Sequence, residues 1–325
     1  MEIIGHQKIV KILDKSIIKN RLAHAYLFYG PNGIGKTKVA EYFITKLLCS
    51  SKINQPCGKC ENCRQITKKI HPDVIWVSKQ EARMELTEKN KIGVEQIHAI
   101  RDFLLTSPFS ANRKIAIIES ADSITSAGAN AFLKILEEPP SRSMIVLIAR
   151  SFYGLPATIR SRCQILRFSP PNKEDTKSFL KEKFSLAEGK ADEILVKTAN
   201  RPGTAINFAQ NPEILEKNKK IIDQIVKILS KKDFEAGVEL TDFILSFQPN
   251  LGEILNVLLG LIRDLIIFKL TVSPVGSIDS NLKRLSNKYS QQELIFLANE
   301  IIETSKMISA NVNPKLVIGN LFINI

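Results

Sequence analysis

Eight consecutive residues, Gly30 to Thr37, match the pattern G-x-x-x-x-G-K-[ST] in full. In such a loop the glycines let the backbone wrap closely, so that its N–H groups point at phosphate oxygens. Lys36 would reach the β- and γ-phosphates, and the Thr37 hydroxyl would help to hold Mg²⁺. We therefore predict a nucleoside triphosphate site, the alternative being a glycine-rich turn without a ligand. The residues predicted to bind are Gly30, Asn32, Gly33, Gly35, Lys36 and Thr37.

A second group of residues that could do chemistry is a cysteine cluster. Its four cysteines follow the pattern C-x7-C-x2-C-x2-C. Two successive C-x-x-C steps place several sulfurs around one centre, as tetrahedral zinc requires. Four thiolates leave no coordination position for water, so we expect a structural site. An iron–sulfur cluster or free thiols are the alternatives. The cluster comprises Cys49, Cys57, Cys60 and Cys63. The isolated Cys163 is predicted to be a small buried apolar residue.

A third group follows the apolar segment Lys114–Ile118 and begins with Glu119 and Ser120. In phosphate-loop enzymes an acid at the first of these positions is associated with Mg²⁺, and a second acid directly after it activates water. Ser120 cannot act as a base at neutral pH, and losing a positioned base typically removes about 10²–10⁴ in rate. Asp122 is a partial substitute whose direction the sequence leaves open, and Glu119 could instead cap the next helix. We expect binding with poor turnover.

Short apolar runs alternate with helical patterns in the first half of the chain. Each run is short enough for a buried strand, and intervening helices favour a parallel α/β sheet with helices on both faces. The predicted helices of this half are Lys36–Leu48, Val94–Leu105 and Ala127–Leu136. The predicted strands are Ala25–Tyr29, Val74–Val77, Lys114–Ile118, Met144–Ala149 and Gln164–Phe168.

The pattern changes after Pro170-Pro171 and becomes helical throughout. We predict three domains: a nucleotide-binding module over 1–170 with the cysteine insert at 49–63, a small helical domain over 171–210, and a helical domain over 211–325. Arg201-Pro202-Gly203 interrupts the helical pattern of the middle segment. In the last segment the predicted helices are Glu213–Leu229, Phe234–Phe247, Leu251–Leu270, Gln291–Ser309 and Pro314–Ile325.

Charge is unevenly distributed along the 325 residues, whose net charge is +13. Residues 1–170 hold 26 basic and 14 acidic side chains, so nearly all of the excess lies there. That bias suits a module facing phosphates of a nucleotide or nucleic acid, or it is simply a basic surface. The N-terminus lacks a secretory pattern, and the most apolar stretch, Ile254–Leu270, is interrupted by polar residues. We expect a cytoplasmic protein without a membrane partner.

Taken together, these motifs resemble a known family. Arg21–Phe28 precedes the phosphate loop, the cysteine cluster and His71-Pro72-Asp73 follow it, and Asn130–Pro140 and Ser161-Arg162-Cys163 come later. This order resembles the clamp-loader subunits of bacterial DNA polymerase III, which are AAA+ ATPases. The resemblance covers residues 1–170, and the helical remainder fits the family's lid and collar domains. It implies ATP with Mg²⁺ as the nucleotide and a role in loading a sliding clamp on primed DNA.

Two sequence positions distinguish two branches of this family. The gamma/tau motor branch carries Asp-Glu where this chain has Glu119-Ser120, and it carries an arginine in the lid where this chain has Ile206. The resemblance is therefore closer to the delta-prime branch, and a gamma/tau-type motor is the alternative. The intact phosphate loop departs from some delta-prime chains and leaves weak hydrolysis open. A small-molecule phosphotransferase is disfavoured, because no second substrate pocket is evident.

The resemblance also implies roles between subunits. Arg162 would enter the ATP site of a neighbouring gamma-type subunit as a trans-acting finger, whereas the sequence alone favours a local ion pair at the start of a strand. Gamma/tau-type and delta-type subunits in a hetero-pentamer, the sliding clamp and the backbone of primed DNA are the implied partners. Contacts between collar domains would use an apolar stripe in the helical C-terminal part. Alternatively, this stripe forms the core of its own domain. The stripe comprises Ile254, Leu255, Leu258, Leu259, Ile262 and Leu265.

Overall fold

The computed structural model describes residues 2–51, 53–77, 91–231, 233–248, 251–270, 285–309 and 312–322. The chain forms two compact units. The first comprises Met1–Lys183 with Asn200–Ile206, and the second comprises Phe184–Ala199 with Asn207–Ile325.

A five-stranded parallel sheet forms the centre of the first unit. Its strands pair in the order β2-β3-β4-β1-β5, so β1 lies between β4 and β5. The predicted parallel α/β fold is confirmed, and each predicted strand end falls within one residue of its observed position. The strands are β1 (Ala25–Tyr29), β2 (Val74–Val77), β3 (Lys114–Ile118), β4 (Ser143–Ala149) and β5 (Gln164–Arg167).

Helices cover both faces of this sheet, because side chains of β1 to β4 alternate between two apolar clusters, whereas β5 contributes Leu166 to only one of them. Tyr26 and Phe28 of β1 enter one cluster, whereas Ala25 and Leu27 enter the other. Three of the helices, α1, α3 and α6, were not predicted. The helices are α1 (Gln7–Ile18), α2 (Lys36–Leu48), α3 (Glu61–Thr67), α4 (Val94–Leu105), α5 (Ser126–Glu137), α6 (Ala157–Arg160) and α7 (Lys173–Phe184).

Beyond α7 the described chain is helical, as predicted. Pro202, placed in a predicted break, begins a helix, because its fixed φ and missing N–H suit the first helical turn. The predicted final helix ends at Phe322, and residues 323–325 lie outside the described part of the chain. The helices are α8 (Glu188–Lys197), α9 (Pro202–Gln210), α10 (Pro212–Leu229), α11 (Phe234–Leu245), α12 (Leu251–Leu270), α13 (Gln291–Ser309) and α14 (Pro314–Phe322).

The apolar stripe of α12 lies inside the second unit. Five of its six residues are buried in that unit's own core, and Leu259 is half-buried against the same cluster. This arrangement supports the self-contained core over a collar contact for those residues. Among the helices that the structure describes, none is long and apolar enough to cross a membrane.

Candidate functional site

The phosphate loop joins β1 directly to α2. Gly33 and Gly35 have φ of 74° and 100°, a left-handed backbone that glycine adopts without steric cost. Gly30 is required for a different reason: a Cβ there would lie 2.3 Å from the carbonyl oxygen of Phe168. The predicted loop residues therefore form one strand–turn–helix unit, with the helix beginning at Lys36.

The Lys36 side chain lies within the loop, and the residue is only 6% exposed. Its Nζ donates to the carbonyl oxygens of Gly30 and Pro31, at 2.6 and 2.7 Å. Burial lowers the pKa of Lys36 to about 8. The positive charge of Arg150 also lowers this pKa, whereas the negative charge of Asp122 raises it. A buried cation with few competing acids is well suited to an anionic ligand.

A cavity of about 280 Å³ opens beside the loop at the carboxyl edge of the sheet. Sequence reasoning missed Arg150, which lines this cavity and directly follows β4; the carboxyl end of a parallel strand is where ligand contacts are expected. It also missed Gly203, whose N–H donates to the carbonyl oxygen of Gly33 at 2.7 Å. The lining residues include Asn32, Gly33, Gly35, Lys36, Thr37, Glu119, Ser120, Asp122, Arg150 and Gly203.

Both acids at this edge of the sheet have basic partners. An oxygen of Glu119 lies 3.7 Å from Lys69 Nζ. Asp122 faces Arg150, since its Oδ1 accepts the Arg150 backbone N–H at 3.1 Å and its Oδ2 lies 3.9 Å from the guanidinium Nε. The direction of Asp122, which the sequence left open, is therefore toward a cation. Thr125, not Glu119, caps the following helix α5.

The cysteine cluster is formed in space as well as in sequence. Its four sulfur atoms lie within 4.8 Å of one another. The Cys49–Cys60 and Cys57–Cys63 sulfur distances are 4.0 and 3.9 Å. A tetrahedron of zinc–sulfur bonds of about 2.3 Å requires sulfurs about 3.8 Å apart, whereas a disulfide requires about 2.05 Å. The geometry therefore fits a tetrahedral metal ion and excludes disulfides within the cluster.

Backbone N–H groups surround these sulfurs. The N–H groups of Cys57, Cys60 and Cys63 donate to the sulfurs of Cys49, Cys57 and Cys60, at 3.4, 3.4 and 3.5 Å. Burial acts to raise the pKa of Cys60, but the N–H groups of Cys63 and Ser50 outweigh it and lower that pKa to about 6. Burial raises the pKa of Cys163 to about 12, and Cys163 lies outside the cluster.

The motif His71-Pro72-Asp73 serves the fold. Asp73 is fully buried, and its carboxylate accepts the backbone N–H groups of Phe109, Ser110 and Ala111 at 2.7–2.8 Å. The ammonium of Lys114 lies 3.1 Å away. Burial acts to raise the pKa of Asp73, but these donors outweigh it and hold the pKa at about 2. Asp73 therefore anchors the loop that leads into β3.

Arg162 follows α6 and is partly exposed. Its guanidinium donates to Glu137 Oε1 and to the carbonyl oxygen of Thr158, at 2.8 and 2.9 Å. The two side chains of the ion pair are 35% and 50% exposed. Exposed pairs of this kind contribute only about 0–1 kcal/mol, so the guanidinium can exchange Glu137 for a stronger anion at little cost.

Comparison with known families gives residues 5–172 as a match to the family described as DNA polymerase III, delta subunit. The chain belongs to this family. The resemblance predicted from the motifs is thus confirmed for the nucleotide-binding half of this DNA polymerase III delta family member.

Relatives from both branches match this chain. The delta′ subunit of Bacillus subtilis is 28% identical over 317 residues, which are 94% of this chain and 92% of that protein. The delta′ subunit of Haemophilus influenzae is 29% identical and covers 69% of each chain. The tau subunit of Bacillus subtilis is 33% identical over 168 residues, 51% of this chain and 28% of that protein. Similarity to these two delta′ chains thus extends beyond the half that is shared with this tau subunit.

A solved structure supports the fold. The DNA polymerase III gamma subunit-related protein of Thermotoga maritima superposes with a TM-score of 0.50 at 21% identity. The match covers 97% of this chain and 96% of that one, and it shows that the two proteins share a fold.

Proposed function

We propose that the chain is a delta-prime-type subunit of a bacterial clamp loader, a stator that binds ATP and offers Arg162 to a neighbouring subunit. The observation that carries this proposal is the contrast inside one site. The phosphate loop is intact, whereas Glu119 and Asp122 both face basic side chains and Ser120 replaces a catalytic acid. Such a site holds a triphosphate without a positioned base to activate water.

The loop residues would hold the nucleotide. Backbone N–H groups around Gly33 and Gly35 would face the phosphates, Lys36 would pair with the β- and γ-phosphates, and the Thr37 hydroxyl would help to hold Mg²⁺. When bound, Mg²⁺ neutralises phosphate charge. Glu119 is the proposed Mg²⁺-associated acid, although its carboxylate already pairs with Lys69.

Arg162 is the proposed trans-acting finger. A planar, permanently charged guanidinium stabilises charge on a γ-phosphate, and such fingers are worth about 10³–10⁵ in rate in other nucleoside triphosphatases. The weak exposed pair with Glu137 supports this role, because it holds Arg162 ready at the surface and costs little to break.

The cysteine cluster is proposed to hold one structural Zn²⁺. Its sulfur spacing suits zinc, and its four ligands leave no open position for catalysis. Metal analysis of the purified chain should give about one zinc per chain. A visible iron absorption band would instead assign an iron–sulfur cluster.

The proposed partners are gamma/tau-type and delta-type subunits of a hetero-pentamer, the sliding clamp and primed DNA. Residues 171–210 would be the lid and 211–325 the collar domain. The positive charge of residues 1–170 supports contact with the phosphate backbone of DNA, which would be independent of base sequence and sensitive to salt.

A gamma/tau-type motor is the second candidate. The intact phosphate loop and the 33% identity to a tau subunit favour it. Ser120 and Ile206 disfavour it, because they replace an acid and an arginine that the gamma/tau branch carries at these positions.

Reconstitution tests the proposal. The purified chain, mixed with gamma-type and delta-type subunits, should enter one complex on size-exclusion chromatography with mass detection. Failure to enter that complex, or full ATPase activity of the mixture without this chain, would contradict a stator role.

A further inference from the structure

Lys69 occupies an unusual position at the end of α3. The N–H of Lys69 donates to Ile66 O and that of Ile70 to Gln65 O, both at 2.9 Å, which is the double hydrogen bond of a Schellman motif. The residue directly after the C-cap in this motif is usually glycine, because the position requires a left-handed backbone. Lys69 has φ of 57° there, so the chain accepts a strained lysine where glycine would fit without cost.

Two contacts direct the Lys69 ammonium. It lies 3.7 Å from an oxygen of Glu119 and 5.0 Å from the centre of the Trp76 ring. Both charged side chains are only 24% exposed, so water screens the pair less than it screens a surface pair. The backbone supports the same contact, because Glu119 N–H donates to Val77 O at 2.9 Å, one residue after Trp76.

We propose that Lys69 is a positioning residue that pairs with the Glu119 carboxylate and lowers its capacity to bind nucleotide-associated Mg²⁺. This inference rests on the proposed function of the loop as an ATP site. Lys69 thereby makes the site one that binds a nucleotide while its acid is only weakly available for the metal. Strain in the backbone of Lys69 is then the cost of placing a cation beside Glu119.

The same lysine joins the nucleotide site to the cysteine cluster. Helix α3 is capped by Cys60, whose sulfur accepts the Cys63 N–H, and Lys69 terminates that helix. Metal bound by the cysteines would fix the start of α3 and hence the position of Lys69. Loss of that metal would release Lys69 from Glu119.

The test is a double-mutant cycle read out in nucleotide affinity. Calorimetry with ADP, with and without added Mg²⁺ in a buffer free of chelator, gives the factor by which Mg²⁺ strengthens binding. In Lys69→Gly that factor should rise about tenfold, as expected for freeing one nearby carboxylate. Glu119→Gln in the Lys69→Gly background should remove the gain, whereas Glu119→Gln alone should lower the Mg²⁺ factor by much less than tenfold. Lys68→Ala, which removes an exposed charge one residue earlier, is the matched control.

Folding does not confound this test. Glycine suits the left-handed position, so Lys69→Gly should unfold at the same or a higher urea concentration than the unmodified chain. An unchanged Mg²⁺ factor in folded Lys69→Gly, or a gain that persists after Glu119→Gln, would overturn the inference and leave nucleotide binding intact. Absence of ADP binding by the unmodified chain would overturn the phosphate-loop assignment together with the inference.

A second measurement uses Trp76, the one tryptophan of the chain. Removal of the cysteine-bound metal with a chelator that does not bind Mg²⁺ should change the Trp76 emission and raise the Mg²⁺ factor in the unmodified chain. Lys69→Gly should show little further change in the Mg²⁺ factor on chelation. A Mg²⁺ factor that is insensitive to chelation in the unmodified chain would refute the link between the two sites.

Discussion

The phosphate loop and the Ser161–Cys163 segment carry the two charged groups on which the proposed function depends, and they are built in opposite ways. Lys36 is buried, with its ammonium held by two carbonyl oxygens of its own loop. Arg162 is partly exposed and pairs with a single exposed carboxylate. The first group is positioned to act within this chain. The second is held loosely enough to act on another molecule.

The largest effect should come from Arg162→Ala in the reconstituted complex. We expect the complex to assemble and its ATPase rate to fall by about 10³-fold at the affected site, because a finger stabilises γ-phosphate charge. Steady-state phosphate release measures this change. Arg167→Ala, an exposed arginine on the adjacent strand, is the control and should leave the rate unchanged. Equal losses in both variants would assign Arg162 to folding or assembly.

Asp73→Asn should affect stability rather than chemistry. The substitution removes the charge that pairs with buried Lys114 and turns an amide toward three backbone donors, so we expect a loss of about 3 kcal/mol. Urea unfolding measures it, with exposed Asp102→Asn as the control. Nucleotide affinity measured well below the unfolding transition should stay within about twofold; a large change there would give Asp73 a direct part in the site.

Lys36→Ala should abolish the strong component of nucleotide binding. Loss of one buried charged donor costs about 2–3 kcal/mol, which is roughly 10²-fold in affinity. Calorimetry measures it, with exposed Lys134→Ala as the control. Unchanged ATP affinity would reject the loop assignment, and the comparison with Arg162 would then lose its first half.

A smaller effect should appear as a pH dependence. Because the pKa of Lys36 is about 8 and only the ammonium attracts phosphate, affinity should fall by up to about tenfold per pH unit above pH 8. Nucleotide titrations between pH 7 and pH 9.5 measure this slope. Lys36→Arg keeps its charge over this range and should show a flat profile. A nucleotide affinity of the unmodified chain that does not change with pH would show that the pKa of Lys36 lies outside this range.

Much of the fold was predictable because local patterns determined it. The strands of the sheet are short apolar runs that end at glycine, proline or polar residues, and α2, α4 and α12 begin and end where their periodicity predicted. Helix α3 was missed because it is seven residues long and its cap is Cys60, which is not among the usual capping residues. Helix α1 begins after His6, which is left-handed and forms no side-chain cap.

The site was predictable where its residues are adjacent in sequence. The loop and the cysteine cluster each follow one short motif. Lys69, Arg150 and Gly203 were missed because the fold brings them to the loop and Glu119 from distant positions. The orientation of Asp122 toward Arg150 likewise depends on two strand ends meeting, which no spacing along the chain encodes.

Turnover by the isolated chain tests the central claim most directly. The purified chain, saturated with MgATP and freed of other subunits, should bind about one nucleotide and release phosphate at no more than a trace rate. Rapid multiple turnover by the chain alone, unaffected by Arg162→Ala and lost in Lys36→Ala, would show that the chain is itself a motor and would contradict the account.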